Sequence, residues 1–327
     1  MALLLLACGA WSTTATWAVL DYPGSSGGSS SSGQALGTSL EFVSDGHAIS
    51  RGNVVERRNA SFGFYAVTMP KRKKHMRRFM EDTQLPIKLV KGVPHHTLNG
   101  TELQETRQIL SRYCQPLKAV ALTIAHRKAL KLFLLSEHTY GVIFEDDVAL
   151  SESQSKEKAY GDRDLSEVFM ELGATSNEFS WDMLNLGRCV DYCDSDETVA
   201  GLNGAKTAKL VKSGNPLCAH AYMVTRKGAE RLLRNTWPFF AIWDMMPILM
   251  NKLAYDNQFR LMSVTPRLFK QDRVEIKDSL HKDTNPECAK SDGSHYVRLY
   301  ELLSEENNML WKGEKFTYER ETMTCKY

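Results

Sequence analysis

The chain has 327 residues, 43% of them hydrophobic and 24% charged, with a formal net charge of +2. This length can bury a full core, as one large domain or two ordinary ones, and the composition excludes a disordered or membrane-embedded body. A net charge so close to zero gives no support for general binding to nucleic acid or to anionic membranes. Function must therefore come from local sites.

The N-terminal segment differs from the rest of the chain. Residues 2–20 are largely apolar and carry no charged side chain, which is typical of a secretory signal peptide or a marginal signal anchor. Small residues at 15–18 favour cleavage, and the Ser/Gly-rich run at 24–33 indicates a flexible tether. We predict a signal peptide or signal anchor at 1–22, a tether at 23–60, and a location in the secretory pathway (endoplasmic reticulum lumen or Golgi, or secreted), with membrane attachment only through this segment.

The cysteines fit that compartment. Seven are present, and Cys8 lies within the apolar leader, so the number left in the body is even. An even number allows disulfides, whose pairing cannot be read from sequence, and free buried thiols remain a comparable alternative. No Cys/His spacing matches a structural zinc site. Two sequons, at Asn59 and Asn99, are compatible with glycosylation in the secretory pathway.

The globular body is predicted at 61–280, with 281–327 as a C-terminal extension packed on it. Apolar, β-branched runs alternate with segments of helical period, which indicates an α/β fold with flanking helices and a Rossmann-type, mostly parallel sheet. Polar residues at 188–216 and 266–279 indicate loops. The predicted strands are 62–69, 85–93, 140–144, 181–186, 217–225 and 257–265, and the predicted helices are 71–80, 117–138, 165–172, 226–235 and 296–306.

Three carboxylates follow the predicted strand that begins at Tyr140. Glu145, Asp146 and Asp147 would lie in the crevice beyond the carboxyl ends of the strands, where open α/β sheets bind ligands. Adjacent carboxylates repel one another, so folding favours them there only when a cation, donors or water compensate. Oxygen ligands of this kind suit magnesium or manganese. A solvated acidic turn is the alternative, and an isolated Glu-Asp-Asp would favour it.

Other candidate residues lie beside these elements. Arg72 falls in the first turn of a predicted helix, where backbone N–H groups and the positive end of the dipole favour an anion. Asp244 is a lone acid between Trp243 and two methionines, and such a carboxylate needs a partner or a function. His126 lies in the helix before the acidic strand, where a histidine is more often structural than catalytic.

Four sequence blocks follow one another along the body, and Asp244 follows the last of them. The blocks are Tyr65–Arg72, Ala121–Arg127, Val142–Val148 and Ala219–Leu233. In this order and spacing they resemble glycosyltransferase family 25, which includes lipooligosaccharide and procollagen galactosyltransferases. The resemblance covers residues 62–279. It departs from the family pattern at Val67-Thr68-Met69, where Ile-Asn-Leu is usual, at His75, where arginine is common, and at Ala125-His126, where Ser-His is usual.

The resemblance implies a GT-A-like fold in a single catalytic domain. It also implies transfer of a sugar, galactose in the named relatives, from a UDP-sugar donor to a hydroxyl of a glycan or protein acceptor, with manganese or magnesium as cofactor. An inverting reaction would need a carboxylate base, for which Asp244 is the candidate, with a structural acid as the alternative. The other roles implied are metal binding by Asp147 and Asp146, and donor binding by Arg72, Thr68, Glu145, Asp146 and His126.

Two further readings stay open at this level. The departures at Thr68, His75 and Ala125 are compatible with a non-catalytic relative that keeps the fold for binding or adhesion. The same carboxylates could also serve a magnesium phosphohydrolase. Acceptor recognition is expected from variable loops, here 188–216 and the C-terminal tail, and loop composition does not name the acceptor.

Overall fold

The computed structural model of the protein describes residues 60–106, 108–109, 117–152, 158–188, 196–213, 216–236, 238–239, 241–252, 259–274 and 276. The predicted N-terminal segment, almost all of the tether, and the C-terminal extension with its helix at 296–306 lie outside these residues. None of the helices within the described ranges is both long enough and apolar enough to cross a membrane.

The described chain alternates strands and helices. The strands are β1 Phe62–Thr68, β2 Ile87–Lys91, β3 Tyr140–Glu145, β4 Val148–Leu150, β5 Met183–Asn185, β6 Glu197–Gly201, β7 Lys209–Lys212, β8 Ala221–Thr225, β9 Leu261–Thr265 and β10 Phe269–Gln271. The helices are α1 Lys73–Thr83, α2 Gly100–Glu105, α3 Leu117–Leu134, α4 Leu165–Phe179, α5 Arg226–Asn235 and α6 Met246–Lys252, with short 3-10 turns at Pro70–Arg72 and His95–Thr97.

One sheet has eight described strands in the order β2-β1-β3-β8-β5-β9-β7-β6, and β4 pairs with β10 in a small second sheet. The predicted α/β class is confirmed. The mostly parallel arrangement applies only to β2-β1-β3 and to β5-β9, because the other four pairs of the large sheet are antiparallel. Parallel neighbours need a long crossover, which α1 and α3 provide beside β1, whereas β8 is reached through the β6–β7 hairpin.

The core lies on both faces of the large sheet because side chains alternate along each strand. On β3, Ile143 packs with α3, α5 and α6, while Val142 and Phe144 pack with α1, α4 and β10. On β8, Tyr222 and Val224 face the first of these layers. By the same alternation, Glu145 at the end of β3 lies on the α3 face, two residues after Ile143.

The region 188–216, predicted as a loop, contains two strands in its described part, so that prediction is wrong there. β6 and β7 pair with each other, and β7 pairs with β9, which lengthens the sheet at its edge. Leu210 and Val211 are buried, but Lys209 and Lys212 flank them and are exposed. These exposed charges on either side of a short buried pair contributed to the polar appearance of the segment.

Other predicted boundaries shift for identifiable reasons. The predicted loop 266–279 contains β10, which pairs with β4 directly after the acidic residues. Helix α3 ends at Leu134 rather than at His138, because the guanidinium of Arg226 donates hydrogen bonds to the carbonyls of Leu134, Ser136 and His138. These bonds satisfy the carbonyls at the helix end. Helix α4 continues past the predicted end at 172 to Phe179, and the described part of the strand predicted at 257–265 begins at Leu261.

The start of α5 packs against the backbone at Asp182, just before β5. Thr225 caps this helix, its hydroxyl accepting from the amide of Gly228 at 3.0 Å. A Cβ added at Gly228 would lie 2.0 Å from the carbonyl oxygen of Asp182. The Asp182 carboxylate forms a buried ion pair with Arg231, 2.7 Å away on the same helix. Glycine at 228 therefore permits the contact between helix and strand.

We predict that Gly228→Ala lowers the free energy of unfolding by about 2 kcal/mol or more, because the new methyl group overlaps a buried backbone oxygen. Urea unfolding of the purified protein measures this. Gly201→Ala is the matched control, since a Cβ there meets nothing within 4 Å, and we expect a change within about 0.5 kcal/mol. Equal effects of the two substitutions would contradict the packing argument.

Candidate functional site

The site forms where β1 and β3 end and β8 begins. β1 and β3 are parallel neighbours, and Val67 of β1 pairs with Glu145 of β3. β8 runs antiparallel to β3, so that Ala221 at its start pairs with Phe144. The residues that follow Thr68 and Glu145 therefore meet those that precede Ala221. This brings together sequence blocks that lie far apart along the chain.

Asp146 is held by the segment that follows β1. Its Oδ2 accepts a hydrogen bond from the backbone amide of Met69 at 2.7 Å, and its Oδ1 lies 3.3 Å from Nη1 of Arg72. The Thr68 side chain lies close enough to oppose the rise in the pKa of this carboxyl, while its hydroxyl donates to the Met69 carbonyl at 3.2 Å. The predicted residues Thr68, Arg72 and Asp146 thus lie together. The side chains of Arg72 and Asp146 are each 15% exposed, so both are accessible at this end of the strands.

Asp147 is braced by β10. Its residue exposure is 7%, and its Oδ2 accepts a hydrogen bond from Nε2 of Gln271 at 3.3 Å. Its backbone carbonyl accepts from the amide of Asp272 at 2.6 Å. Its Oδ1 is buried and has no hydrogen-bond partner on any other described residue. An ionised oxygen in that state is an acceptor available to a cation or a donor.

Glu145 faces α3, as the alternation of β3 requires. Its Oε1 lies 3.3 Å from Nε2 of His126, and Nδ1 of His126 lies 3.2 Å from the hydroxyl of Tyr222. The ring of His126 stacks on Trp243, with 5.0 Å between centroids and 9° between planes. His126 is fully buried, so it contacts the site through Glu145. Burial lowers the pKa of His126 to about 3, which leaves the imidazole neutral at physiological pH.

Asp244 reaches the same site from the segment before α6. Its Oδ1 accepts a hydrogen bond from the amide of Ala219 at 3.1 Å. The turn that presents this amide is fixed by Asn185, whose Nδ2 donates to the carbonyls of Pro216 and Cys218 at 3.0 Å each. Asp244 is near enough to Glu145 for its charge to raise the pKa of Glu145. The proposed base and the strand-end acids therefore share one site.

Burial and mutual repulsion make this cluster electrostatically costly. Burial raises the pKa of Glu145 well above its usual 4.5, and the neighbouring charges of Asp147, Asp244 and Asp146 raise it further. Arg273 acts in the opposite direction. The surroundings of Glu145 therefore oppose its ionisation more than they favour it.

The other two acids are better compensated. Burial raises the pKa of Asp146, but the Met69 amide and the charge of Arg72 oppose that rise. Burial also raises the pKa of Asp147, and here Arg273 and then Arg72 oppose it. Arg72 and Arg273 are therefore the local positive charges that face the acids.

Sequence reasoning missed part of the site. Gln271 and Asp272 fall within the predicted loop 266–279, and their contacts with Asp147 follow from the β4–β10 pairing. Arg273 gave no signal in the sequence beyond its charge. Tyr222 and Trp243 looked like core residues, and they are buried, but they also surround His126. Their aromatic character and their spacing in the sequence do not distinguish a core residue from one that packs against His126 at the site.

Within the described ranges, no group of three or more His, Cys, Asp or Glu side chains is arranged to hold a metal ion by itself. The available ligand atoms are the buried Oδ1 of Asp147 and the carboxylate of Asp146, which accepts from the Met69 amide and forms an ion pair with Arg72. Metal ions that bind a nucleotide diphosphate usually take one or two protein carboxylates and complete their shell with phosphate and water. This donor set fits that kind of site.

The fold is α/β, and the acids lie at the carboxyl ends of its parallel strands. Open α/β sheets bind their ligands at this end. The family model of glycosyltransferase family 25 (LPS biosynthesis protein) matches residues 67–247, more than half of the chain. The chain therefore belongs to glycosyltransferase family 25, as its sequence blocks predicted, and this membership implies glycosyltransferase activity with a sugar donor and an acceptor.

No curated protein matches the sequence. Among solved structures, the chain is similar to A197 from STIV, with 12% sequence identity over 62% of this chain and 80% of that chain. The TM-score of this match is 0.32, which is too low to support any statement about fold or function.

The raised pKa of Glu145 predicts how the metal-free protein responds to pH. The folded state holds this proton more tightly than the unfolded chain, so this part of the stability is complete below pH 4.5 and is lost as pH rises towards the folded pKa. We expect Glu145→Gln to flatten that decline and to raise the free energy of unfolding at pH 7.5 by about 1 kcal/mol or more. Urea unfolding in a chelator at several pH values measures both effects.

Glu81→Gln, at an exposed acid of α1, is the control and should leave the pH profile unchanged. An unaltered slope in Glu145→Gln would show that another group causes the decline.

Proposed function

We propose that the chain is a metal-dependent, inverting glycosyltransferase with a GT-A-like fold. It transfers galactose from UDP-galactose to a hydroxyl group of a glycan or protein acceptor. The observation that carries this proposal is the meeting of Asp244 with the acids at 145–147 at one sheet edge, in a chain of family 25. These groups supply the two functions that such a transfer needs, which are charge neutralisation at the leaving group and a base for the acceptor.

The segment after β1 is the proposed donor side. Arg72 is partly exposed beside Asp146, and its guanidinium can pair with an anionic diphosphate. The Met69 amide holds the Asp146 carboxylate from the other side, and Thr68, proposed to contact the donor, lies beside it. Glu145 borders the same crevice and is proposed to accept from the donor's ribose or from a bound water. The donor therefore lies across the ends of β1 and β3.

Asp147, with Asp146, is the proposed ligand pair for manganese or magnesium. The buried Oδ1 of Asp147 supports this assignment, since a desolvated carboxylate oxygen without a donor favours a cation. When bound, the ion supplies positive charge that neutralises the departing nucleotide diphosphate. Gln271 keeps the other oxygen of Asp147 in place.

Asp244 is the proposed base. Its Oδ1 accepts from the Ala219 amide, which orients the carboxylate, and the residue is only partly buried. In the proposed step the acceptor oxygen bonds to the anomeric carbon while the bond from that carbon to the phosphate oxygen breaks. The acceptor's proton moves to the Asp244 carboxylate, and the configuration at the carbon inverts. Positioning of both substrates supplies much of the rate.

The secretory pathway is the proposed location. Cys218 is disulfide-bonded, which supports an oxidising compartment. Asn99 of the second sequon is exposed, as glycosylation requires.

We predict that Asp147→Asn weakens binding of Mn²⁺ with UDP at least about tenfold, because the neutral amide removes the charge that holds the ion. Calorimetry measures binding, and nucleotide release from several UDP-, GDP- and CMP-sugars measures turnover. Asp162→Asn is the control, since that carboxylate is 73% exposed and pairs with Lys158. If Asp147→Asn kept wild-type metal and UDP affinity, the metal assignment would be wrong. If the wild-type protein turned over no sugar nucleotide, the proposed function would fail.

We predict that Asp244→Asn lowers kcat by about 10² to 10⁴ and leaves the donor KM within a few-fold of wild type, because a lost general base affects the chemical step. Steady-state kinetics with UDP-galactose and a saturating acceptor measure kcat and the donor KM separately. Asp82→Asn, at an exposed position of α1, is the matched control. Full activity in Asp244→Asn would remove Asp244 as the base.

A further inference from the structure

Three fully buried rings lie behind the acids of the site. His126 of α3, Tyr222 of β8 and Trp243, the residue before Asp244, each have 0% exposure. We call these three residues the ring cluster. They come from three separate parts of the chain, and they meet on the α3 face of the sheet, where the alternation of β3 also places Glu145.

His126 joins two polar groups through its two ring nitrogens. Tyr222 lies 3.2 Å from Nδ1, and Glu145 lies 3.3 Å from Nε2. A neutral imidazole has one donor and one acceptor nitrogen, so the direction of one hydrogen bond determines the direction of the other. When Glu145 is ionised, it accepts from Nε2–H, and the Tyr222 hydroxyl donates to Nδ1. The ring has no exposed surface from which to contact a donor or acceptor substrate. It therefore acts on the site through Glu145.

The same ring also contacts the segment that carries Asp244. His126 and Trp243 are nearly parallel, with centroids 5.0 Å apart, and Tyr222 packs against both rings at 5.8 and 6.4 Å. Because Trp243 directly precedes Asp244, movement of the stacked ring would move the backbone at Asp244. The Ala219 amide fixes the Asp244 carboxylate from the other side. The His126 ring thus contacts both Glu145 and the residue before Asp244, and it can influence the position of both carboxylates.

We propose that His126 is a positioning residue rather than a donor contact: its hydrogen bond orients Glu145 towards the donor, and its stack on Trp243 fixes the backbone that carries Asp244. This inference rests on the proposed function, because it takes Glu145 as a residue that binds the sugar donor and Asp244 as the base. The two contacts use different properties of the ring, its N–H group and its flat face. They can therefore be removed separately.

Two substitutions at this position separate the contacts. His126→Phe keeps a flat ring against Trp243 and removes the hydrogen bond to Glu145. We expect its donor KM, and its dissociation constant for UDP with Mn²⁺ measured by calorimetry, to rise about tenfold or more, with kcat changing less. His126→Gln can place an amide N–H near the position of Nε2 and removes the stack. We expect donor KM and UDP affinity within about threefold of wild type and kcat lower by about tenfold or more, since misplacing a base affects the chemical step.

Thermal unfolding of each variant separates positioning from loss of fold. Tyr222→Phe is a second, smaller variant that removes only the hydroxyl at Nδ1, and we expect it to raise donor KM by a few-fold. His96→Gln is the control, because His96 is an exposed histidine.

The outcomes are distinguishable. A change mainly in donor KM for His126→Phe, together with a change mainly in kcat for His126→Gln, would support the inference. Wild-type kinetics in His126→Phe would overturn the inference and leave the proposed function standing. A higher KM, a lower kcat and a lower melting temperature in both variants alike would do the same. A wild-type protein that neither binds UDP with Mn²⁺ nor turns over any sugar nucleotide would overturn the proposed function, and this inference with it.

Discussion

The structure depends on placing several carboxylates in a largely buried site at one sheet edge. Burial is the first cause of the raised pKa of Glu145, Asp146 and Asp147, and mutual repulsion adds to it at Glu145. Folding must offset this cost elsewhere, since desolvated like charges do not stabilise a fold. The offset comes partly from the Met69 amide, from Arg72 and from the charge of Arg273. The three carboxyl groups keep raised pKa values despite these contacts.

The packing around this cluster explains why its geometry is held. The acids are not on a free loop, because β4 follows them at once and pairs with β10. Gln271 at the end of β10 and the amide of the next residue, Asp272, then contact Asp147. On the opposite face, α3 places His126 against Glu145, and the two core layers bury both sides of the sheet. Sites built on strands and helices are held more accurately than sites on loops alone.

Sequence reasoning could predict the elements with strong local signals. The apolar run before Glu145 and the period of α3 were sufficient to place β3, α3 and the acids at a strand end. It could not predict β6 and β7, because exposed Lys209 and Lys212 flank a short buried pair. Nor could it derive that Asp244 faces Glu145, since this depends on antiparallel β3–β8 pairing and on the turn at 216–219. That expectation came from the family resemblance.

The departures from the family pattern leave the polar framework of the site in place. Thr68 still lies beside Asp146 and helps to hold down the pKa of its carboxyl group. The imidazole of His75 lies 2.8 Å from the Val148 carbonyl and 3.9 Å from the Asp272 carboxylate, so it connects α1 to β4 and to the segment after β10. Ala125 is buried with 1% exposure, where a small apolar side chain packs without an unmet polar group. A binding module would have no need to keep Asp244 beside the strand-end acids at an electrostatic cost, and the retained cluster therefore favours an enzyme.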